Sequence, residues 1–194
     1  MPPTILLNNQ KCSFKLSDLP CLIHGKEGEG SSLFTVSLVT DLFRKNEKTV
    51  FLCGYKMAYE EFISQTQATA DTCLLKSLDD LENIHDKKMI FVTQENVELW
   101  MKVADLINDR MFVVKNFDLF NENVLDIVKK KQKFILSGNL DRCIYSDKII
   151  KMPFQTKVLF SQPSILINQT CPPLQKYYGY MWKDSEEGEV YIKQ

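Results

Sequence analysis

The stretch of sequence that decides the fold is Gly25-Lys26-Glu27-Gly28-Glu29-Gly30-Ser31-Ser32. A phosphate-binding loop has the pattern G-x-x-x-x-G-K-[ST], in which the final hydroxyl binds magnesium. Gly25, Gly30 and Ser32 match this pattern, but Ser31 occupies the position of the lysine. The stretch therefore has the glycines of a phosphate-binding loop without its usual positive charge.

The residues around this stretch have the order strand, loop, helix, which is the context that the motif requires. Residues 19–24 predict the first strand, and residues 31–46 predict a helix with a broad apolar face. In such loops, backbone N–H groups and the helix N-terminus hold the phosphates. All eight residues are therefore candidate nucleotide-binding residues, with Ser32 as a candidate metal ligand and Lys26 as a candidate substitute for the missing lysine. The alternative is a glycine-rich turn that binds nothing.

The rest of the chain alternates short apolar runs with amphipathic helical patterns, which indicates an α/β fold with a mainly parallel sheet. Further strands are predicted at residues 49–55, 89–93, 111–114 and 134–137, and further helices at residues 58–67, 94–109 and 122–132, with a mixed segment at 72–85. The tail predicts β segments without long helices, at residues 148–152, 156–160, 164–168, 177–183 and 189–193. The last two are joined by a hairpin loop at residues 184–188. We expect one domain over residues 1–194.

Composition and charge argue against several classes of function. The net charge is -1, so no global field draws the protein to nucleic acid or membrane. The six cysteines form no CxxC pair and the chain has two histidines, which argues against a zinc site and favours free thiols in a reducing compartment. The sequence has neither a signal-peptide pattern nor an apolar run that could cross a bilayer. We expect an intracellular protein, cytoplasmic or nuclear, without a membrane partner.

The strand that should help to order magnesium also departs from its pattern. A Walker B strand has four apolar residues followed by an aspartate. Here Met111-Phe112-Val113-Val114 is followed by Lys115, and the first acid, Asp118, comes too late in the chain. Because the ends of parallel strands face the same crevice, we hypothesise that Lys115 contacts a phosphate without metal. A solvated lysine at a strand end is the alternative.

These features together resemble the RecA-like core, a group that includes the recombinases and their paralogues, KaiC-type ATPases and the Elongator accessory subunits. The resemblance implies a three-layer RecA-like P-loop domain with a β-rich C-terminal hairpin. In RecA-like ATPases the second strand leads to a glutamate that activates water, and here Tyr55 stands near that place. Glu60 and Glu61 follow later and are predicted to lie on a helix surface. Asn139 follows a strand that resembles the sensor strand, so it is a candidate γ-phosphate contact or else a turn asparagine.

The resemblance implies a non-catalytic subunit, since Ser31, Lys115 and Tyr55 all depart from the catalytic pattern. Such a pseudo-ATPase would bind ATP or another nucleotide without efficient hydrolysis, and magnesium is not favoured as a cofactor. Its partners would be other protein subunits, RecA-like themselves, in DNA repair, recombination or RNA modification. Two alternatives stay open. One is an active ATPase that uses Lys26, and the other is a nucleic-acid-binding module that uses Lys129-Lys130-Lys131 and the aromatic residues of the tail.

Overall fold

The computed structural model describes residues 3–165, 174–183 and 186–191. The strands, numbered in chain order, are β1 (Thr4–Leu7), β2 (Gln10–Cys12), β3 (Cys21–His24), β4 (Thr49–Cys53), β5 (Thr72–Leu75), β6 (Met89–Thr93), β7 (Met111–Lys115), β8 (Phe134–Gly138), β9 (Thr156–Leu159), β10 (Tyr178–Lys183) and β11 (Glu186–Tyr191). The helices are α1 (Ser31–Arg44), α2 (Met57–Thr66), α3 (Val97–Leu106), α4 (Glu122–Val128) and α5 (Ser146–Ile150).

All of these strands belong to one sheet, in the order β2-β1-β11-β10-β9-β3-β8-β7-β4-β6-β5. Every neighbouring pair from β9 to β5 is parallel. This confirms the expected α/β fold with a mainly parallel sheet. The central strands β3, β4, β7 and β8 are buried along their whole length, as is typical of parallel strands that helices cover on both faces.

Two hydrophobic clusters on opposite faces of the sheet form the core, and they give the fold three layers. One cluster joins α1 and α2 to the sheet, through residues such as Phe34 and Phe62. The other joins α3, α4 and α5 to the sheet, through residues such as Trp100, Val124 and Ile149. Since β3, β8, β7 and β4 are parallel to one another, their carboxyl ends lie at the same edge of the sheet.

The other side of the sheet is antiparallel and was only partly predicted. The pairing of β10 with β11 confirms the C-terminal β-hairpin, although part of its loop, residues 184 and 185, lies outside the described residues. Strand β11 then pairs with β1, and β1 pairs with β2. The β1–β2 hairpin was not predicted, and its two turn residues Asn8 and Asn9 have φ values of 50° and 64°. A positive φ at both positions is the mark of a tight hairpin turn that asparagine tolerates.

The tail also contains an incorrect prediction. Residues 148–152 do not form a strand, because α5 covers Ser146–Ile150 and buries Ile149 completely. The apolar run in this segment is too short to distinguish the period of a helix from that of a strand. The prediction for residues 156–160 is confirmed by β9, which is parallel to β3. The predicted strand at residues 164–168 lies mostly outside the described residues, and so does the end of the one at 189–193.

Helix α2 is fixed to the sheet by a group of aromatic rings around Phe91 of β6. The ring centroid of Phe91 lies 5.0 Å from that of Phe51, 5.2 Å from that of Phe62 and 5.3 Å from that of Tyr59. Phe91 is completely buried. This packing sets the position of α2 against β4 and β6, and α2 carries residues of the site described below.

We expect Phe91→Ala to lower the free energy of unfolding by about 3–5 kcal/mol, because it removes a fully buried ring and leaves a cavity. Leu106→Ala is the control, since Leu106 is 70% exposed on α3. We expect that change to stay within about 0.5 kcal/mol of the unaltered protein. Urea unfolding followed by circular dichroism measures both. Equal losses for the two variants would contradict the packing of α2 described here.

Candidate functional site

The glycine loop joins the end of β3 to the start of α1, as the sequence predicts. Gly28 and Gly30 have positive φ values of 83° and 107°, which glycine adopts without strain. Gly25 has no room for a side chain, because a Cβ there would lie 2.6 Å from the Cβ of Ser31. The loop therefore wraps closely around the N-terminus of α1, which is the geometry that presents backbone N–H groups to an anion.

Ser31, at the position of the missing lysine, is a packed residue. It is 6% exposed, and its backbone carbonyl accepts a hydrogen bond of 2.8 Å from the hydroxyl of Thr35. The Thr35 Oγ1 atom also lies 2.7 Å from Ser137 Oγ, and this contact joins α1 to β8. The serine at this position therefore belongs to the helix–sheet contact beneath the loop.

The charged residues of the loop are bonded to each other and to a neighbouring turn. The backbone N–H of Lys26 donates to Glu29 Oε2 at 2.6 Å. The Lys26 ammonium lies 3.4 Å from Asp141 Oδ2. Burial raises the pKa of Asp141, but hydrogen bonds from Ser164 and Lys26 hold that pKa below its usual range. The Lys26 ammonium is therefore already paired with a carboxylate.

A pocket of about 450 Å³ opens beside the loop at the carboxyl ends of the parallel strands. The loop, the segments that follow β4, β7 and β8, and the first turns of α2 form its walls. Its lining includes most of the residues predicted for the site, which are Gly25, Lys26, Glu27, Gly28, Gly30, Ser31, Ser32, Lys115 and Asn139. Glu29 is not among the lining residues, and it bonds the loop backbone instead.

Lys115 is a buried cation in this pocket. The residue is 7% exposed, and its ammonium donates to Asn116 Oδ1 at 3.1 Å. Burial lowers the pKa of Lys115, while Cys53, Glu61 and Asp118 act in the opposite direction. Burial also raises the pKa of the Cys53 thiol to about 12, so Cys53 is neutral near pH 7. The two carboxylates are therefore the counter-charges of the Lys115 ammonium.

Glu61 was predicted on a helix surface, and it lies on the side of α2 that faces the pocket. It is half-buried, lines the pocket and accepts a hydrogen bond of 3.3 Å from Gln65 Nε2. Burial raises the pKa of Glu61, and the charge of Lys115 opposes that rise. The sequence contained one signal for this position. Helix α2 follows strand β4, whose carboxyl end lies at the pocket, and Glu61 lies about one turn into that helix.

Asp118 also belongs to the site, although it stands too far along the chain to match the Walker B pattern. A short 3-10 turn over Phe117–Leu119 folds back after Asn116, which has a left-handed φ of 63°. This turn brings Asp118 Oδ1 to 3.0 Å from the backbone N–H of Asn139, which donates to it. A Cβ on Gly138 would lie 2.5 Å from the same oxygen, so the carboxylate occupies the space beside this glycine.

The other residues of the pocket have separate roles. Asn139 lines the pocket, but its Oδ1 accepts a hydrogen bond of 3.0 Å from the N–H of Asp141, so it also forms a turn. Tyr55 and Met57 are 57% and 70% exposed at the pocket mouth. His24 is completely buried and accepts a hydrogen bond of 3.0 Å at Nδ1 from Leu140 N–H. Burial lowers the pKa of His24.

The side chains that usually hold magnesium beside a phosphate-binding loop are only partly present at their expected positions. The hydroxyl of Ser32 remains at the start of α1, but the ammonium of Lys115 takes the place of the expected aspartate. In the part of the chain that the structure describes, no group of three or more His, Cys, Asp and Glu side chains could hold a metal ion. Within that part, the thiols of Cys12, Cys21, Cys53, Cys73 and Cys143 are free, and Cys171 lies outside it.

The lysine run at the end of α4 is partly engaged in the fold. The ammonium of Lys129 pairs with Asp126. The ammonium of Lys131 donates to Asn108 Oδ1 at 2.6 Å and lies 4.7 Å from the ring centroid of Phe112.

In the tail, Tyr178 and Tyr191 stack on each other. Over the described residues, no helix is long and apolar enough to cross a membrane.

Solved structures with known activities resemble this fold. The genome packaging NTPase B204 from Sulfolobus turreted icosahedral virus 2, in complex with AMPPCP, is 10% identical, with a TM-score of 0.58 and coverage of 89% of this chain and 96% of that chain. B204 has also been solved with ATP-gammaS, sulfate and AMP. EssC (ATPases 2 and 3) from Geobacillus thermodenitrificans is 10% identical, with a TM-score of 0.58. That match covers 98% of this chain and 40% of the EssC chain.

A third match is the SWI2/SNF2 ATPase core from Sulfolobus solfataricus in complex with dsDNA, which is 16% identical with a TM-score of 0.49. This match covers 64% of this chain and 30% of that chain, so the protein spans less than a third of its length. No protein-family model matches the sequence, and no curated protein matches it. At these identities the likeness to B204 and EssC concerns the fold alone. The protein has the fold of the P-loop NTPases.

Proposed function

We propose that the protein is a non-catalytic P-loop subunit that binds a nucleotide by its phosphate and does not hydrolyse it efficiently. The observation that carries this proposal is the position of Lys115. Its side chain is buried in the pocket beside the glycine loop, at the strand end where a Walker B aspartate is expected. In this arrangement a fixed ammonium takes the place of a bound metal ion as the phosphate's counter-charge.

Three features support a nucleotide as the ligand. The loop keeps its positive-φ glycines, and the N-terminus of α1 adds a partial positive charge beside them. The pocket volume of about 450 Å³ lies within the range of small-molecule sites. The protein B204, which has the same fold, was solved with nucleotides and with sulfate, and this supports a phosphorylated ligand here.

The same residues argue against efficient hydrolysis. Phosphoryl transfer needs cations on the transferring phosphate and a group that orients the attacking water. Ser31 is packed under the loop, and Lys115 displaces the carboxylate that would help to hold a metal ion. Tyr55, near the position of the water-activating glutamate in the RecA-like resemblance, carries no carboxylate. Catalysis would lose both charge neutralisation and water activation.

The subunit role rests on the RecA-like resemblance. We propose other protein subunits as partners, in DNA repair, recombination or RNA modification. The active ATPase that would use Lys26 is less well supported, because the Lys26 ammonium lies 3.4 Å from Asp141 Oδ2. A nucleic-acid-binding module is also less well supported, because Lys129 and Lys131 are engaged by Asp126 and Asn108.

The first test is phosphate release from ATP in the presence of magnesium. We expect release at the level of the Lys115→Met variant and of buffer, because neither protein has a complete catalytic set. A coupled phosphate assay measures it, and a nucleotide-induced rise in the melting temperature reports binding in the same samples. Release well above the background of the variant would contradict the non-catalytic role.

The second test is the contribution of Lys115 to binding. We expect Lys115→Met to weaken nucleotide affinity about 10-fold to 100-fold, since a hydrogen bond to a charged group contributes about 1.5–3 kcal/mol. Isothermal titration calorimetry in EDTA measures the affinity without metal. The control is Lys133→Met, which removes an exposed lysine next to the amino end of β8. Equal affinity of Lys115→Met and the unaltered protein would contradict the proposed contact.

The third test uses pH. Because burial lowers the pKa of Lys115, its ammonium loses the proton at a lower pH than an exposed lysine, whose pKa is about 10.4. The charged form binds phosphate, so we expect affinity to fall as pH rises through the lowered pKa. Titrations with inorganic phosphate at increasing alkaline pH measure this, and the fall should be absent in Lys115→Met. The same alkaline fall in both proteins would rule out Lys115 as the titrating group.

A further inference from the structure

We propose that the pocket selects a ligand with a single phosphate, a nucleoside monophosphate, over the corresponding diphosphate and triphosphate. This inference rests on the proposed function, because it specifies the ligand of the same site. It follows from the charges that line the pocket, from the position of two carboxylates beside the one buried cation, and from an apolar surface at the mouth.

The charges along the pocket lining balance each other. The basic side chains of the lining are Lys26, Lys115 and Arg142, and the acidic ones are Glu27, Glu61 and Asp118. Asp141 lies next to Lys26, so part of the basic charge at the rim is already compensated. One phosphate monoester carries about 1.5 to 2 negative charges at pH 7. A buried ammonium and a helix N-terminus can balance that charge, but among the basic lining residues only Arg142 is then left to offset the charge of further phosphates, because Lys26 lies beside Asp141.

Two carboxylates, those of Glu61 and Asp118, line the pocket together with Lys115. Glu61 is placed by its hydrogen bond from Gln65 Nε2, at 3.3 Å. Asp118 is placed by the backbone N–H of Asn139, at 3.0 Å. Both carboxylates share the pocket with Lys115, and both act electrostatically on its ammonium. In a partly buried site, repulsion between these carboxylates and a second phosphate is stronger than it would be in water.

The same carboxylates suit the sugar of a nucleoside monophosphate. An ionised carboxylate accepts hydrogen bonds and donates none, so it repels phosphate oxygens but accepts from ribose hydroxyls. Glu61 and Asp118 therefore favour a hydroxyl-bearing group next to the single phosphate. Replacing phosphate by ribose at this point turns an unfavourable contact into a favourable one.

The mouth of the pocket offers an uncharged surface for the base. Tyr55, Met57 and Leu119 are 57%, 70% and 36% exposed there. The Leu119 side chain lies over Gly54, because a Cβ on Gly54 would be 2.8 Å from Leu119 Cδ1. This contact places Leu119 against the residue that precedes Tyr55. An exposed aromatic ring beside two aliphatic side chains is a stacking surface for a planar base.

The experiment compares AMP, ADP and ATP by isothermal titration calorimetry, in EDTA and again with magnesium. We expect AMP to bind at least 10-fold more tightly than ATP in EDTA, with ADP between them. Equal or tighter binding of ATP in EDTA would overturn the inference and leave the proposed function in place. Tighter binding of ATP with magnesium than of AMP would overturn it as well. No binding of any of the three would overturn both.

Matched variants test whether the two carboxylates cause the preference for AMP over ATP. Glu61→Gln removes one of the two carboxylates and keeps an amide that can bond Gln65, so we expect the AMP-to-ATP affinity ratio to fall at least 3-fold. Glu60→Gln is the control, because the neighbouring Glu60 pairs with Lys56 at 3.0 Å on the exposed side of α2. Asp118→Asn keeps an oxygen that can accept from Asn139 N–H and should also lower the ratio. Unchanged ratios in both Glu61→Gln and Asp118→Asn would overturn the electrostatic argument.

A last variant tests whether the mouth of the pocket binds the base. Tyr55→Ala should weaken AMP binding at least 3-fold and leave ribose 5-phosphate binding unchanged, since ribose 5-phosphate has no ring to stack. Circular dichroism verifies that the variant is folded, and the exposure of Tyr55 makes loss of the fold unexpected. An unchanged AMP affinity, or equal losses for the two ligands, would overturn the assignment of the mouth to a base.

Discussion

The burial of the Lys115 ammonium is the constraint on which the rest of the site depends. A buried charge is strongly destabilising unless a hydrogen bond and a counter-charge accompany it. Asn116 supplies the hydrogen bond, and Glu61 and Asp118 supply the counter-charges. Each of these partners requires local structure of its own. Asn116 adopts a left-handed conformation, α2 is held on the sheet by aromatic packing, and Gly138 leaves space for the Asp118 carboxylate.

The parallel sheet makes this arrangement possible. Lys115 is level with Cys53 of β4 on one side and with Ser137 of β8 on the other. Since β8 also pairs with β3, the strand that carries the lysine is separated from the strand that carries the glycine loop by one strand. The contact between Thr35 and Ser137 then ties the loop's helix to that intervening strand. The glycine loop and the buried cation are thus joined at one edge of the sheet.

The sequence predicted the parallel strands and the loop because those features depend on local pattern. Strand β6 was predicted with its observed bounds, since four of its five residues are apolar and a helical segment follows at once. The positions of Glu61 and Asp118 depended on tertiary structure instead. Asp118 reaches the site through a 3-10 turn and a left-handed asparagine, and neither is visible as periodicity. The β1–β2 hairpin was missed although its Asn-Asn turn was present, because its strands are very short.

A fixed ammonium changes what this fold can do with a phosphate. A metal ion is doubly charged, it arrives with the ligand, and it can bridge two phosphates because its coordination sphere is open on several sides. A lysine carries one charge on a tethered chain, and its strength depends on pH rather than on the concentration of an ion. In the function that we propose, the crevice therefore holds a phosphate and does not transfer it.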